Sequence, residues 1–526
     1  MYRGLSALKI SDGLRLAMLL IAGGLGLLPS NAGAVVTAGT ITVNDAGDGT
    51  GSGVCTLRDA FNLIDGDTPT GNCTASGSQS PPEIHFALST PVTIMLASAL
   101  PSTVSVKVVG PGTDQLTISG GNAVRIFNGL TTSNATLNLS NLTLAHGLAP
   151  SGSAGGAIFN CCGHAVMLDH VDLHDNRSDY AGGAIDASYD LHVTSSTFEN
   201  NQAIKASGGS FLSFGGGLYA QSGAISLDHV TMTGNTAGST AAGSDPGLGG
   251  ALAVNNGVTI HITDSTFAGN HALANAQRTN FNPNPAGLGG QGGGIFAEGT
   301  LDLQRSTVSG NDATFQGGGI YNIAGADVIN STVANNSVSG ASSPSQGGGI
   351  FNAATNGFGN GVVLKVYDST VYGNGAGSGG GLYNEHTTAA EVLLNNSAFG
   401  NSGTGQAGGD IVNGSGAVLD GTSTLVEDAA HAGGLIDGSQ GNIVGQSAQF
   451  VGLGNYGGPT HTVRFAPASP LRDSGTNALA VDGAGNPLTS DQRDYAPEVP
   501  RIYNGVVDIG AFEFANDLIF ADGFGG

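Results

Sequence analysis

The sequence predicts an all-β chain wound as a single-stranded, right-handed parallel β-helix, with an N-terminal cap and a C-terminal closing module. Three observations predict it. A Gly-Gly-x-aliphatic block recurs at Gly155, Gly182, Gly215, Gly249, Gly292, Gly317, Gly347, Gly379 and Gly408. A second block, Ser-Thr-apolar-x-x-Asn, falls between most of these, as in Ser265-Thr266-Phe267 to Asn270 and Ser331-Thr332-Val333 to Asn336. The 526 residues include 90 Gly and no Trp, and only 10% are charged. Blocks spaced roughly 25 to 43 residues apart mark one supersecondary unit stacked many times. The glycine carries no G-X-Y period, which excludes collagen, and the 40% of apolar residues in short alternating runs argues against disorder. A solenoid lengthens by adding coils, so the length does not call for several separate cores.

Residues 1–34 read as a Sec-type bacterial signal peptide. Arg3, Lys9 and Arg15 form the basic region, Leu16 to Leu28 the apolar core, and Ala32-Gly33-Ala34 the small-residue cleavage site. The apolar core is short for a bilayer span, and no later segment has the roughly 18 unbroken apolar residues that a helix needs to cross. The mature chain is therefore expected outside the cell or on its surface, with no transmembrane helix. Export permits disulfides. Cys55 and Cys73 flank a polar loop and form the natural pair, worth about 3 kcal/mol for a loop of that size. Cys161 and Cys162 are adjacent, which strains a direct bond and leaves their pairing open.

Residues 35–120 are expected to form the cap and first coils. Leu57, Arg58, Asp59, Ala60, Phe61 and Leu63 suit a short helix whose apolar side covers the open end of the solenoid, which an uncovered strand edge requires. Asp45-x-x-Asp48-Gly49 matches part of a calcium loop without the full EF-hand ligand series. Asp45 and Asp48 are thus candidate ligands for a structural calcium ion, against the plainer reading of an Asx/Gly turn. No other cofactor is expected.

Residues 121–430 hold the repeats. Aligned on the final Asn, the second block gives a column Asn176, Asn201, Asn235, Asn270, Asn311, Asn336, Asn374 and Asn401. Three residues earlier stand Leu173, Phe198, Met232, Phe267, Val308, Val333, Val371 and Ala398, an inward apolar column. Two before those come mostly small hydroxylated residues, Ser196, Ser265, Ser306, Ser331 and Ser369, on the same face. Between them Thr197, Thr231, Thr266, Thr307, Thr332 and Thr370 point outward. Gly and Asn near the block's end suit a left-handed turn, and stacked Asn amides can pair along the axis. The Gly pairs make a corner before a strand such as Ile320-Tyr321, and a third strand such as Leu301-Asp302-Leu303 precedes each Ser-Thr block. Residues 431–515 form the C-terminal module and 516–526 a short tail.

A net charge of −24 opposes nucleic acid and anionic membrane as partners. Asp169, Asp172, Asp175, Asp186, Asp264, Asp368 and Glu385 read as surface carboxylates without a recurring Arg or Lys beside them. His170-x-Asp172-x-His174 offers three metal-ligating side chains on one strand face, and His229 repeats the His170 column two coils on. Asp491, Arg493 and Asp508 are expected to form a structural polar network. No residue is nominated as catalytic or cofactor-binding.

Three regions resemble known families. Gly155-Gly156-Ala157-Ile158, Gly182-Gly183-Ala184-Ile185, Phe198-Glu199-Asn200-Asn201 and Phe267-Ala268-Gly269-Asn270 resemble the GGA[ILV] and FxxN tetrapeptides of polymorphic outer membrane proteins. Cys55-Thr56-Leu57-Arg58-Asp59-Ala60-Phe61 looks like the CSLREA motif of bacterial surface β-helix proteins. Gly457-Gly458-Pro459-Thr460, Asp491-Gln492-Arg493 and Asp508-Ile509-Gly510-Ala511-Phe512-Glu513 resemble the choice-of-anchor Q domain. The resemblance implies a secreted or surface-attached β-helix. The chain departs from polymorphic outer membrane proteins in lacking a C-terminal run of amphipathic strands long enough for an outer-membrane barrel. The expected function is adhesion or glycan contact through a long repetitive face, with a surface glycan or a host or cell-envelope component as partner. The alternative is a polysaccharide lyase or glycoside hydrolase on the same scaffold. A hydrolase needs two carboxylates flanking the bond, and a lyase a base that these sparse cations do not nominate.

Overall fold

The computed structural model describes residues 38–49, 53–66, 71–101, 104–129, 135–205, 212–241, 244–275, 289–340, 345–353, 362–385, 390–400, 408–494 and 499–515. The expected signal peptide and the 516–526 tail lie outside them. Among the described residues the strands gather into one 25-stranded sheet, an 11-stranded sheet and a 6-stranded sheet, with neighbouring coils paired in parallel. The chain is a parallel β-helix.

One coil shows why the repeat folds this way. The first Gly of each pair adopts a positive φ (54° to 69° from Gly155 to Gly379), turning the chain into the strand that carries the aliphatic residue. A Cβ on Gly317 would lie 2.6 Å from the Ile320 carbonyl oxygen, so this corner has room only for Gly. Ile320–Asn322 then pairs with Ile295–Ala297 below and Ile350–Asn352 above. Gly325–Ile329 and Thr332–Ala334 follow in the largest sheet. A short fourth strand, Ser337–Val338, pairs with Asp312–Ala313. The sequence suggests three strands per coil; the fourth is too short to show a period.

The Asn column is an interior ladder. Each Asn Nδ2 donates to the Oδ1 of the next Asn, from Asn176 through Asn201, Asn235, Asn270, Asn311 and Asn336 to Asn374, at 2.9 to 3.0 Å. Each Oδ1 also accepts the backbone N–H of the Asn below, as from Asn270 to Asn311. The Ser column works likewise: the Ser331 hydroxyl oxygen accepts the Ser306 N–H at 3.0 Å. These columns satisfy backbone groups that the coil corners would otherwise bury unpaired. The left-handed residue is the one before the Asn (Asp175, Asn200, Gly234, Gly269, Gly310, Asn335, Gly373). A second left-handed column, at mostly non-Gly residues, precedes the Ser column: His170, Ser195, His229, Asp264, Arg305, Asn330, Asp368 and Asn396.

In the last repeat the structure shifts the alignment by one residue. Val371 pairs with Phe399, and Thr370 with Ala398. Taking Asn401 as the ladder residue therefore puts Ala398 and Asn396 in the wrong columns. A one-residue slip exchanges inward and outward faces, and Phe399 is the buried residue that a correct register demands.

At the N-terminal end, the helix Leu57–Asp65 begins with a capping box between Thr56 and Asp59 and buries Leu57, Ala60, Phe61 and Ile64. The rings of Phe61 and Phe127 lie 5.8 Å apart, which seats the cap on the coils. Cys55 and Cys73 form the expected disulfide; Cys161 and Cys162 are paired with each other. At the other end, the antiparallel hairpin Phe450–Gly454 with Thr462–Phe465 and the segments after it pack on a second core of Leu425, Phe465, Leu471, Ile509 and Phe512. This module lies along the flank of the coils. Gln492 Nε2 donates to the Thr307 hydroxyl at 3.0 Å, the Thr332 hydroxyl donates to Gln492 Oε1 at 2.6 Å, and Ala511 N–H donates to the Thr370 hydroxyl at 3.0 Å. No helix among the described residues is long and apolar enough to cross a membrane.

Candidate functional site

The module divides one outer flank into two halves. Along the outward Thr column, Asp172, Thr197, Thr231 and Thr266 are exposed or half-exposed, whereas Thr307, Thr332 and Thr370 are buried beneath the module. The open half is the candidate site. Strand alternation sends every second side chain outward there, and the left-handed column adds polar residues at the corner beside it.

A trough of about 480 Å³ lies in this half, lined by Asp114, Asn141, His170, Asp172, Ser195 and Thr197 among others. The Thr197 hydroxyl donates to Asp172 Oδ1 at 2.5 Å, and Asp169 Oδ1 lies 2.9 Å from His170 Nδ1. Further along, the Thr263 hydroxyl donates to Asp228 Oδ1 at 2.6 Å, and His261 Nδ1 lies 2.9 Å from Asp302 Oδ2. The open flank thus presents hydroxyls, carboxylates and imidazoles on successive coils, in the trough and beyond it, chemistry suited to the hydroxyl groups of a polyol or sugar chain. It is open rather than deep.

The structure separates the residues of His170-x-Asp172-x-His174. His170 has φ 53°, and this left-handed residue breaks the two-residue alternation, so the three do not form one strand face even though His170 and Asp172 both border the trough. His174 instead meets His146 of the preceding coil and its own neighbour Asp175. His229 gathers with Asp228 and Asp264.

Three of the carboxylates read as surface groups are buried. Asp264 is held by Arg305 through two hydrogen bonds of 3.0 and 2.6 Å. Asp368 pairs with Arg501 at 2.8 Å, both side chains fully buried. Asp186 lies outward on the 11-stranded sheet between Phe159 and Tyr219 of adjoining coils. It accepts from Ser188 at 2.8 Å, and burial pushes its carboxyl up to about 7 against the pull of Arg125. Arg125 donates to the carbonyls of Ala154 and Gly155 and lies 5.0 Å over the Phe159 ring, and its burial lowers it to about 10. Stacked rings continue that outer row as Phe296, Tyr321, Phe351 and Tyr383, at 5.0 to 5.4 Å. This side is a packed spine. The cation partners of Asp264 and Asp368 stand 41 and 133 residues away in sequence, beyond any local motif. The available signal was the polar residue preceding each Ser-Thr pair.

Asp48 and Asp45 take separate partners. Asp48 accepts from Arg58 Nε and Nη2 at 2.8 and 2.9 Å and from the Ala97 N–H at 2.6 Å, tying the cap helix to the coils. Asp45 Oδ1 accepts the Gly47 N–H at 2.8 Å, an Asx turn. The network around Asp491 includes Arg493, whose Nε donates to Asp491 Oδ2 at 2.8 Å, while Asp508 accepts the Asp473 and Phe514 N–H groups.

No family model matches the chain, and no curated protein sequence matches it. A solved structure titled as pectate lyase Pel9A superposes with a TM-score of 0.40 at 11% identity, over 91% of this chain and 97% of that one. A likeness this distant carries no argument about chemistry.

Proposed function

We propose that the protein is an exported, surface or extracellular β-helix that contacts glycan along its open flank without cleaving it. The observation that carries this reading is the uncovered row of Asp172, Thr197, Thr231 and Thr266 beside the trough. Hydroxyl and carboxylate groups recur there once per coil, about 4.8 Å apart. A long polymer would meet many weak sites at once, and avidity replaces the deep pocket. The acidic balance favours neutral or cationic glycans over polyanions.

A second reading, glycoside hydrolysis or polysaccharide elimination, is favoured by one feature: Asp114 and Asp172 line the same trough. Paired carboxylates are what hydrolysis requires. A panel of neutral and acidic polysaccharides tests both readings, with binding followed by affinity electrophoresis and turnover by reducing ends and unsaturated products. Binding without turnover, weakened at least about fivefold by Asp172→Ala as a single contact in a multivalent row, is expected. Turnover abolished by Asp114→Asn or Asp172→Asn would overturn the non-catalytic reading, and absence of binding across the panel would overturn both.

A further inference from the structure

His146, His174 and Asp175 stand on neighbouring coils at the edge of the open flank. His146 follows the strand Ala135–Ala145, and His174 ends the strand His164–His174 directly above it, with Ala145 paired to His174. One ligand atom from each of the three lies within 4.8 Å of the others. His174 Nδ1 is already 2.9 Å from Asp175 Oδ2, and the two imidazoles meet edge to face with centroids 5.6 Å apart.

Two features make this arrangement more than a chance of surface packing. Successive residues of a strand point to opposite sides, so His174 and Asp175 should diverge. They converge because Asp175 has φ 54°, which swings its carboxylate back beside the imidazole. His146 has the same left-handed backbone, φ 54°. Further along this corner column the residues are Asn200, Gly234, Gly269, Gly310, Asn335 and Gly373, the types that accept the conformation most readily. Only where ligand-bearing side chains would converge does the column depart to His and Asp.

We propose that His146, His174 and Asp175 bind one divalent transition-metal ion of the zinc class. Two imidazoles and one carboxylate, with a water in the fourth position, form an ordinary zinc donor set. Tetrahedral bonds of about 2.0 to 2.1 Å place ligand atoms about 3.3 Å apart, so no pair of ligand atoms here needs to approach by more than about 1.5 Å. His174 and Asp175 are partly exposed, leaving the fourth position to solvent. The second His/Asp cluster is a poorer site because both oxygens of Asp264 are taken by Arg305. The site stands independently of glycan contact.

The test is zinc titration of the metal-stripped full chain by calorimetry, with cobalt(II) as a spectroscopic probe. One saturable zinc per chain and a visible cobalt band of tetrahedral intensity are expected. His146→Gln or His174→Gln should weaken binding at least about a hundredfold, whereas His229→Ala should leave the stoichiometry unchanged. Circular dichroism confirms that each variant is folded, and Asp175→Asn serves as a second variant should a His replacement unfold. Absence of saturable binding by the unsubstituted chain, or binding that survives the His146→Gln/His174→Gln double replacement, would overturn the proposal.

Discussion

Thr197 and Thr332 occupy the same column of the same sheet, four coils apart, and meet opposite fates. Thr197 stands in the open and donates to Asp172. Thr332 is buried and donates to Gln492, a residue 160 positions further along the chain. The coils beneath are built alike, with the same Asn ladder and the same Ser hydroxyl bonds. What differs is whether a polar outer row is paired by protein or left to solvent. One repeat therefore supplies both a docking seam and a presented surface.

The sharpest break of this contrast is at the buried pair under the module. Arg501→Met leaves the buried Asp368 without its cation, and should cost about 3–5 kcal/mol in urea unfolding of the module. Adding Asp368→Leu should restore most of the loss, since the pair itself is imperfect: Asp368 Oδ2 and Arg501 Nε find no hydrogen-bond partner among the described residues. A seam unmoved by the single replacement would show that apolar packing alone holds the module.

Acidity offers a second, smaller lever. Burial pushes the Glu513 carboxyl up to about 8 despite the nearby Arg501. The folded state thus binds more protons than the unfolded chain between the ordinary glutamate range and pH 8. The stability contribution is present at acid pH and is lost as pH rises through about 8. Raising the pH from 5.5 to 8.5 should loosen the covered seam by on the order of 2 kcal/mol, read as lowered amide protection in residues 499–513 after the intrinsic rise of exchange with pH is divided out, and Glu513→Gln should reduce that dependence. The smallest effects compare the two threonines directly. Thr332→Val should cost about 1–2 kcal/mol by stranding Gln492 Oε1, whereas Thr197→Val should stay within about 0.5 kcal/mol. Equal costs at the two positions would erase the distinction between the halves.

Much of the fold was legible because its causes are local. The Gly pairs mark corners that a Cβ would obstruct, the Ser column marks hydroxyls close enough to bond the next coil, and Thr56 with Asp59 spells out a helix start. The repeat is misaligned by Asn401, itself outside the described residues, because a second Asn five residues earlier and a Gly at 400 make the neighbouring register look equally regular. The candidate site was less legible. His170, Asp172 and His174 suggest a shared face only if alternation holds, and the left-handed backbone at His170 ends it. His146 joins His174 only through the stacking of coils.

The sequence alone determined the period, the inward columns and the cap, because those depend on residues a few positions apart repeating at each coil. Tertiary structure decided which half of the outer row is covered, which carboxylates are paired, and which His and Asp converge. Arg501 reaches Asp368 across 133 residues and Gln492 reaches Ser306 across 186. Contacts of that range leave no period behind. They arise where the C-terminal module turns back and lies against the coils.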